Sequence, residues 1–402
     1  MKHKEKQENC TETTMAAEIG ITEKKKRKKS HKVLLILGII AGLILLALIL
    51  IPKLLFTDYE GLPTTGVYGV KQASAILVDK NRLETFETDG SYREVPVYFY
   101  YPDTVGTEEA TENFPLVIFS HGAFGYYQSN TSTYMELASH GYVVISLDHP
   151  YHSFFTKDTA GKTIIVNPQF MQEVMYINEN GTAEEEIIEL THGWLDLRLE
   201  DMGFVLDSVK AAKEMVIETT GADLSDTWFI SEASGQQEIL SILAMTDTEH
   251  IGLMGHSLGG AASVTLGRTR EDIDAVIDLD GTMLGEEYSY NNGKYEFYEE
   301  AYPVPLLAVN NEPHHFEGEE VETLYVNRVV LANAVDAKYT YFKGSGHMNF
   351  TDLPLFSPAL ASMLGIGEVD AKECITTMNQ LVLDYFNCYL KEMGEVVIRE
   401  SY

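Results

Sequence analysis

Cysteine is scarce: Cys10, Cys374 and Cys388 are the three in a chain of 402 residues. That is too few for a disulfide framework. Cys374 and Cys388 lie fourteen residues apart in one amphipathic helical pattern. Along a helix that spacing is about 21 Å, beyond disulfide reach, so both read as buried thiols. Proline and glycine number 12 and 31, and 45% of the chain is apolar. Collagen-like and disordered classes are therefore excluded. Positive charge is also short, with 29 Lys plus Arg against 61 Asp plus Glu and a formal charge of −32. Such a chain repels nucleic acid, which is excluded as a partner. There is no internal repeat, and the length suits one large domain or two ordinary ones.

The few basic residues are unevenly placed. Residues 1–32 carry ten Lys or Arg and five Glu, a local net of +5, and the run 24–29 (KKKRKK) precedes an uncharged stretch, VLLILGIIAGLILLALILI, at 33–51. Nineteen helical residues span roughly 28 Å, close to the hydrocarbon core of a bilayer. No polar face interrupts the stretch, and no small-x-small cleavage site follows it. The expectation is a transmembrane signal anchor at 33–51. Positive flanking charge puts residues 1–32 in the cytosol as a basic tail and the rest outside the membrane. Residues 52–66 read as a stalk, and 67–402 as the folded domain.

Within that domain, PLVIFS (115–120) and YVVISLD (142–148) are continuous apolar runs. That is the pattern of parallel strands buried on both faces. AILVD (75–79) and VPVYFYYP (95–102) precede them; IGLMG (251–255), AVIDLD (275–280), VPLLAVN (304–310) and KYTYFK (338–343) follow. Helical patterns are expected at 130–140, 257–268, 323–335 and 370–391. Strands alternating with helices at this spacing predict a doubly wound, mostly parallel α/β sheet. The long acidic interval 153–250 reads as an insertion over the C-terminal edge of the sheet, with a helix near 195–217.

Gly255-His256-Ser257-Leu258-Gly259 lies between a predicted strand and a predicted helix. A sharp strand-to-helix turn would lift the Ser257 hydroxyl above the sheet, with glycines where side chains would clash. A serine hydroxyl needs a base to become a nucleophile near neutral pH. His347, in the loop 344–350 past the last strand, has the place and chain order expected of that base. His256, beside the nucleophile, is expected to point away along the turn and to be structural. His121, His149, His152, His314 and His315 read as pocket lining or local hydrogen bonding. The orienting acid has two candidates. Asp280 ends the strand AVIDLD, and Glu312 follows the next strand; Asp278 sits deeper in its strand. Spacing does not decide between Asp280 and Glu312. An oxyanion needs two N–H donors. Leu258 supplies one, and the loop 120–125 supplies the other, at Ala123 or, alternatively, Phe124.

In order and spacing, FPLVIFSHG, ELASHGYVVISLDH (136–149), IGLMGHSLGGA, LDGTM (279–283), VPLLAVNNE and KGSGHMNFTDLP (343–354) resemble the platelet-activating factor acetylhydrolase family. The resemblance covers most of 92–391 apart from the insertion. It implies an α/β-hydrolase fold with an inserted lid-like segment, and it assigns the acid to Asp280. The implied triad is Ser257, Asp280 and His347, with oxyanion amides from Ala123 and Leu258. The expected activity is hydrolysis of short or oxidised acyl esters, such as those on phospholipids, with no metal or organic cofactor. The same triad serves carbohydrate-acetyl, polyester and dienelactone-type esterases and peptidases. A surface-binding protein without catalysis can also keep the fold.

Overall fold

Among the described residues, nine strands build the central sheet: β1 (Gly69–Leu83), β2 (Tyr92–Asp103), β3 (Phe114–Ser120), β4 (Val143–Leu147), β5 (Phe229–Ile230), β6 (Thr246–His256), β7 (Ala275–Leu279), β8 (Leu306–Asn311) and β9 (Ala337–Phe342). The structure is a computed structural model. It describes residues 50, 53, 55–59, 61–104, 113–177, 179, 181–219, 223–230, 233–320 and 325–402. The strand order is β9-β8-β7-β6-β3-β4-β2-β1-β5. From β4 through β3 to β9 every pairing is parallel, whereas β2 runs antiparallel to both β4 and β1. The apolar runs read from the sequence are these parallel strands, shielded on both faces. The strand outside that reading, β5, is a two-residue addition to the edge at β1.

Helices cover the two faces: α1 (Thr131–Ser139), α2 (Pro168–Ile177), α3 (Glu184–Glu218), α4 (Ala233–Met245), α5 (Leu258–Thr269), α6 (Glu312–Glu320), α7 (Val326–Asn333) and α8 (Ala371–Lys391). Successive strand residues face opposite sides of a sheet. Accordingly Leu116 and Ile118 of β3 join one core with Met202 and Val205 of α3 and Ala261 and Val264 of α5. Val117 and Phe119 join the other with Tyr134 of α1 and Ile375 and Phe386 of α8. Tyr59–Tyr402 forms one compact unit. Cys374 and Cys388 sit on α8 as free thiols, the first buried and the second only half-buried.

The interval 153–250 is not one lid-like piece. Phe155–Lys157 pairs with Thr163–Ile165 in a small hairpin, and α2 follows. The next helix, α3, buries Ile188, Thr191, Trp194, Leu195, Arg198, Asp201, Met202, Val205, Leu206 and Val209. That stripe recurs at helical spacing and needs a partner surface, which the sheet and α5 provide. By Thr246 the chain is already in β6. The apolar stretch 33–51 lies outside the described residues except Leu50. Among the described residues no helix is long and apolar enough to cross a membrane.

Asp148, just past β4, pins the loop after β3 to the hairpin. Its carboxylate accepts from the Tyr127 amide at 2.8 Å and from Thr156 Oγ1 at 2.7 Å. Burial nevertheless pushes its pKa up to about 7 against those bonds. The folded protein therefore holds this proton where the unfolded chain, with a carboxyl near pH 4, has released it. The contribution of Asp148 to stability falls as pH rises from about 4 to about 7. Urea unfolding should find Asp148→Asn gaining on the wild type between about pH 5 and about pH 8. A difference that stays constant with pH would contradict this.

Candidate active site

Ser257 occupies the turn from β6 into α5 with φ 55° and ψ −126°, a left-handed conformation uncommon for a residue with a Cβ. The turn closes because a Cβ at Gly255 would overlap the Gly259 carbonyl, and one at Gly259 would overlap that of Ser120. The Ser257 N–H donates to Leu279 O at 2.9 Å, tying the turn to β7. Ser257, Leu258, Ala123, Asp280, His314 and His347 all border one cavity of about 360 Å³.

His347 follows β9 and is 40% exposed at its side chain, while its Nδ1 lies 2.6 Å from Oδ2 of fully buried Asp280. An ionised carboxylate only accepts, so Nδ1 carries a proton and donates it to Asp280. His256 does not point away from the site. Its Nε2 lies 3.1 Å from His347 O and its ring 4.5 Å from that of His347. Burial drives its pKa down to about 3, so it is a neutral prop behind His347.

Asp280, at φ 56°, has both oxygens filled. Oδ1 accepts from Asn311 N at 2.7 Å and from His314 Nδ1 at 3.2 Å. Oδ2 accepts from Asn311 Nδ2 at 2.5 Å besides His347. Burial alone would raise this carboxyl, but the bonds from His314 and His347 outweigh it and hold the pKa well below the usual range. Glu312 points elsewhere, with Oε2 accepting from Gly344 N at 3.2 Å. Asp278 is buried; burial and the neighbouring Asp280 push its pKa well up. His314, which the sequence marks as pocket lining or local hydrogen bonding, is a second imidazole on Asp280. Its Nε2 also bonds Tyr325 Oη. The signal for it was local: it opens α6, three residues after Asn311. His315 bonds Tyr339 Oη at 2.7 Å instead.

The loop after β3 passes close to the Ser257 turn; a Cβ on Gly122 would lie 3.2 Å from that of Ser257. The Phe124 amide is committed to His152 O at 3.2 Å, leaving Ala123 as the amide of this loop on the cavity wall. Beneath it lies a sealed polar cluster. His149 places Nε2 2.9 Å from Ser120 Oγ and Nδ1 3.0 Å from Asp201 Oδ2. These three repeat the connectivity of a Ser-His-Asp triad, but all are fully buried, so no ester reaches Ser120. Burial and the nearby Arg198 lower the His149 pKa to about 4. Arg198 and Asp201, both buried on α3, were not singled out from the sequence.

A second cavity, of about 810 Å³, lies beyond Trp194, which borders both. Trp194 is fixed by its Nε1–H to Glu173 Oε2 at 2.9 Å and by edge contact with Phe170 at 5.3 Å between centroids. Val174 of α2 also borders the smaller cavity. Among the described residues no group of three or more His, Cys, Asp or Glu could hold a metal ion.

With this geometry in place, comparison with known proteins adds four findings. A family profile described as "Platelet-activating factor acetylhydrolase, isoform II" matches residues 103–396. The chain is 23% identical over 289 residues to the platelet-activating factor acetylhydrolase of Gallus gallus, covering 69% of this chain and 63% of that one. It is 23% identical over 292 residues to that of Bos taurus, covering 69% and 58%. The chain thus spans about three-fifths of the length of these relatives. Among solved structures, a ferulic acid esterase from Streptomyces cinnamoneus superposes with a TM-score of 0.56 at 19% identity, covering 83% of this chain and 93% of that one. That likeness shows the α/β fold around a mostly parallel sheet.

Proposed function

The chain belongs to the platelet-activating factor acetylhydrolase isoform II family, and from that premise we propose that it is a serine carboxylic-ester hydrolase acting through Ser257, His347 and Asp280. The observation that carries the reading is the 2.6 Å bond from His347 Nδ1 to Asp280, on the wall of the cavity that also holds Ser257 in its strained turn. His347 Nε2 takes the proton as Ser257 Oγ attacks the ester carbonyl, and Asp280 steadies the imidazolium. The amides of Ala123 and Leu258 receive the oxyanion. His347 then protonates the leaving alcohol, and a water activated by the same nitrogen releases the acid from the acyl-enzyme.

The proposed substrates are esters with short or oxidised acyl groups, including those on phospholipids. The cavity of about 360 Å³ suits a small acyl group, and Trp194 on its wall would limit a longer one. The apolar stretch 33–51 with its basic flank supports anchoring in a membrane with the catalytic domain outside. Protease accessibility in intact cells checks that orientation. For the activity, full-length protein should turn over p-nitrophenyl acetate and butyrate faster than the dodecanoate. Ser257→Ala should fall to background and lose labelling by a fluorophosphonate. Labelling of another residue, with activity kept in Ser257→Ala, would refute the assignment.

A further inference from the structure

Arg198 is fully buried on α3, and a guanidinium is tolerated there only against matched acceptors. Its acceptors belong to the last residue of β3 and the loop after it. They are His121 O, Gly122 O at 3.4 Å and Ser120 Oγ at 3.2 Å. Gly122 O belongs to the peptide whose N–H is that of Ala123, assigned above to the oxyanion. The same oxygen accepts from His121 Nδ1 at 2.7 Å and from Gly125 N at 3.1 Å. In a planar trans peptide the C=O and N–H point opposite ways, so donors fastened to the oxygen fix where the hydrogen aims. A cation at the oxygen end also polarises the amide and strengthens its N–H as a donor. The chain behind it is consistent with this. Asp201 holds the His149 Nδ1 proton, His149 Nε2 takes the Ser120 hydroxyl proton, and the Ser120 lone pair is left to Arg198.

We propose that Arg198, assisted by His121, is a positioning residue that locks the Gly122–Ala123 peptide with its N–H toward the oxyanion, so that α3 sets the strength of the oxyanion hole. The proposal rests on the serine-hydrolase reading. The test measures Arg198→Met and Arg198→Lys in the full-length protein, with kcat expressed per Ser257 titrated by a fluorophosphonate. Losing the aim of one oxyanion donor should lower kcat about 10²-fold with KM changed less than about threefold. The inhibition constant of phenylboronic acid, whose adduct on Ser257 mimics the tetrahedral intermediate, should rise by a similar factor. Arg198→Lys should recover part of the loss. A merely structural arginine would reduce the number of titratable sites while kcat per site and boronate affinity stayed at wild-type values, and that result overturns the proposal. If both variants fail to fold, His121→Phe removes a neutral donor from the same oxygen. About a tenfold loss of kcat per site then supports the lock, and no loss overturns it. Wild-type protein that neither hydrolyses esters nor takes the label would sink the underlying reading along with it.

Discussion

Asp280→Asn should lower kcat for p-nitrophenyl esters by about 10⁴-fold, the scale seen when an orienting carboxylate becomes an amide. The reason lies in the donors around it. Asn311 N and His314 Nδ1 serve Oδ1, while Asn311 Nδ2 and His347 Nδ1 serve Oδ2. An amide at this position presents its own NH₂ to some of these donors. His347 then turns to the tautomer with Nε2 protonated, which cannot accept the Ser257 proton. Glu312→Gln keeps an acceptor for Gly344 N and should change kcat less than about threefold. Kinetics of both variants, with circular dichroism to confirm the fold, decide the question, and the reverse pattern would make Glu312 the acid. Because the Asp280 pKa is held low in the fold, its contribution to stability is present above the ordinary carboxyl range. It is lost only as pH falls through the depressed value. Protonation of Asp280 should therefore not set the acid limb of the kcat/KM profile, and that limb should survive in Glu312→Gln.

The largest loss of stability should come from Asp201→Ala, about 3–5 kcal/mol, the range for stranding a buried charge. Asp201 is fully buried and accepts from Arg93 Nε at 3.0 Å and Nη2 at 2.7 Å, from Arg82 Nη2 at 2.6 Å and from His149. Arg93 is itself 3% exposed and, among the described residues, would keep Glu84 and the Pro150 carbonyl. Glu200 pairs with the same Arg82 at 2.9 Å, but its side chain is 61% exposed. Glu200→Ala should thus cost under about 1 kcal/mol. Urea midpoints of the two variants read the contrast directly, and equal shifts would show that burial does not govern this network.

Much of this architecture is visible in the chain because its causes are local. A strand buried on both faces must be apolar throughout, so 115–120 and 142–148 could be placed by composition alone. The tight turn at Ser257 demands glycine on both sides, which leaves a readable spacing. The rival acids were harder. Asp280 and Glu312 both follow the C-terminal ends of neighbouring strands. What separates them is side-chain direction, which spacing does not encode. The cluster under the loop after β3 joins residues far apart, Ser120 to Arg198 and Arg93 to Asp201, so no local pattern announces it. A trace was nevertheless present. In THGWLDLRLEDMGFVL, Arg198 and Asp201 fall at the helical spacing of Trp194, Leu195, Met202 and Val205. Charge inside an apolar stripe marks a buried pair rather than a solvated face.

One face of α3 carries Trp194, Arg198 and Asp201, spaced as one side of a helix requires. The first borders the cavity, the second holds the Gly122 carbonyl, and the third holds His149. A rigid rod with three such attachments cannot swing aside to admit a bulky ester without loosening the Gly122–Ala123 peptide proposed above to bind the oxyanion. On the proposed function, access and chemical competence are therefore geared together in this protein. Evolution toward larger substrates would trim the Trp194 ring in place rather than move the helix that bears it.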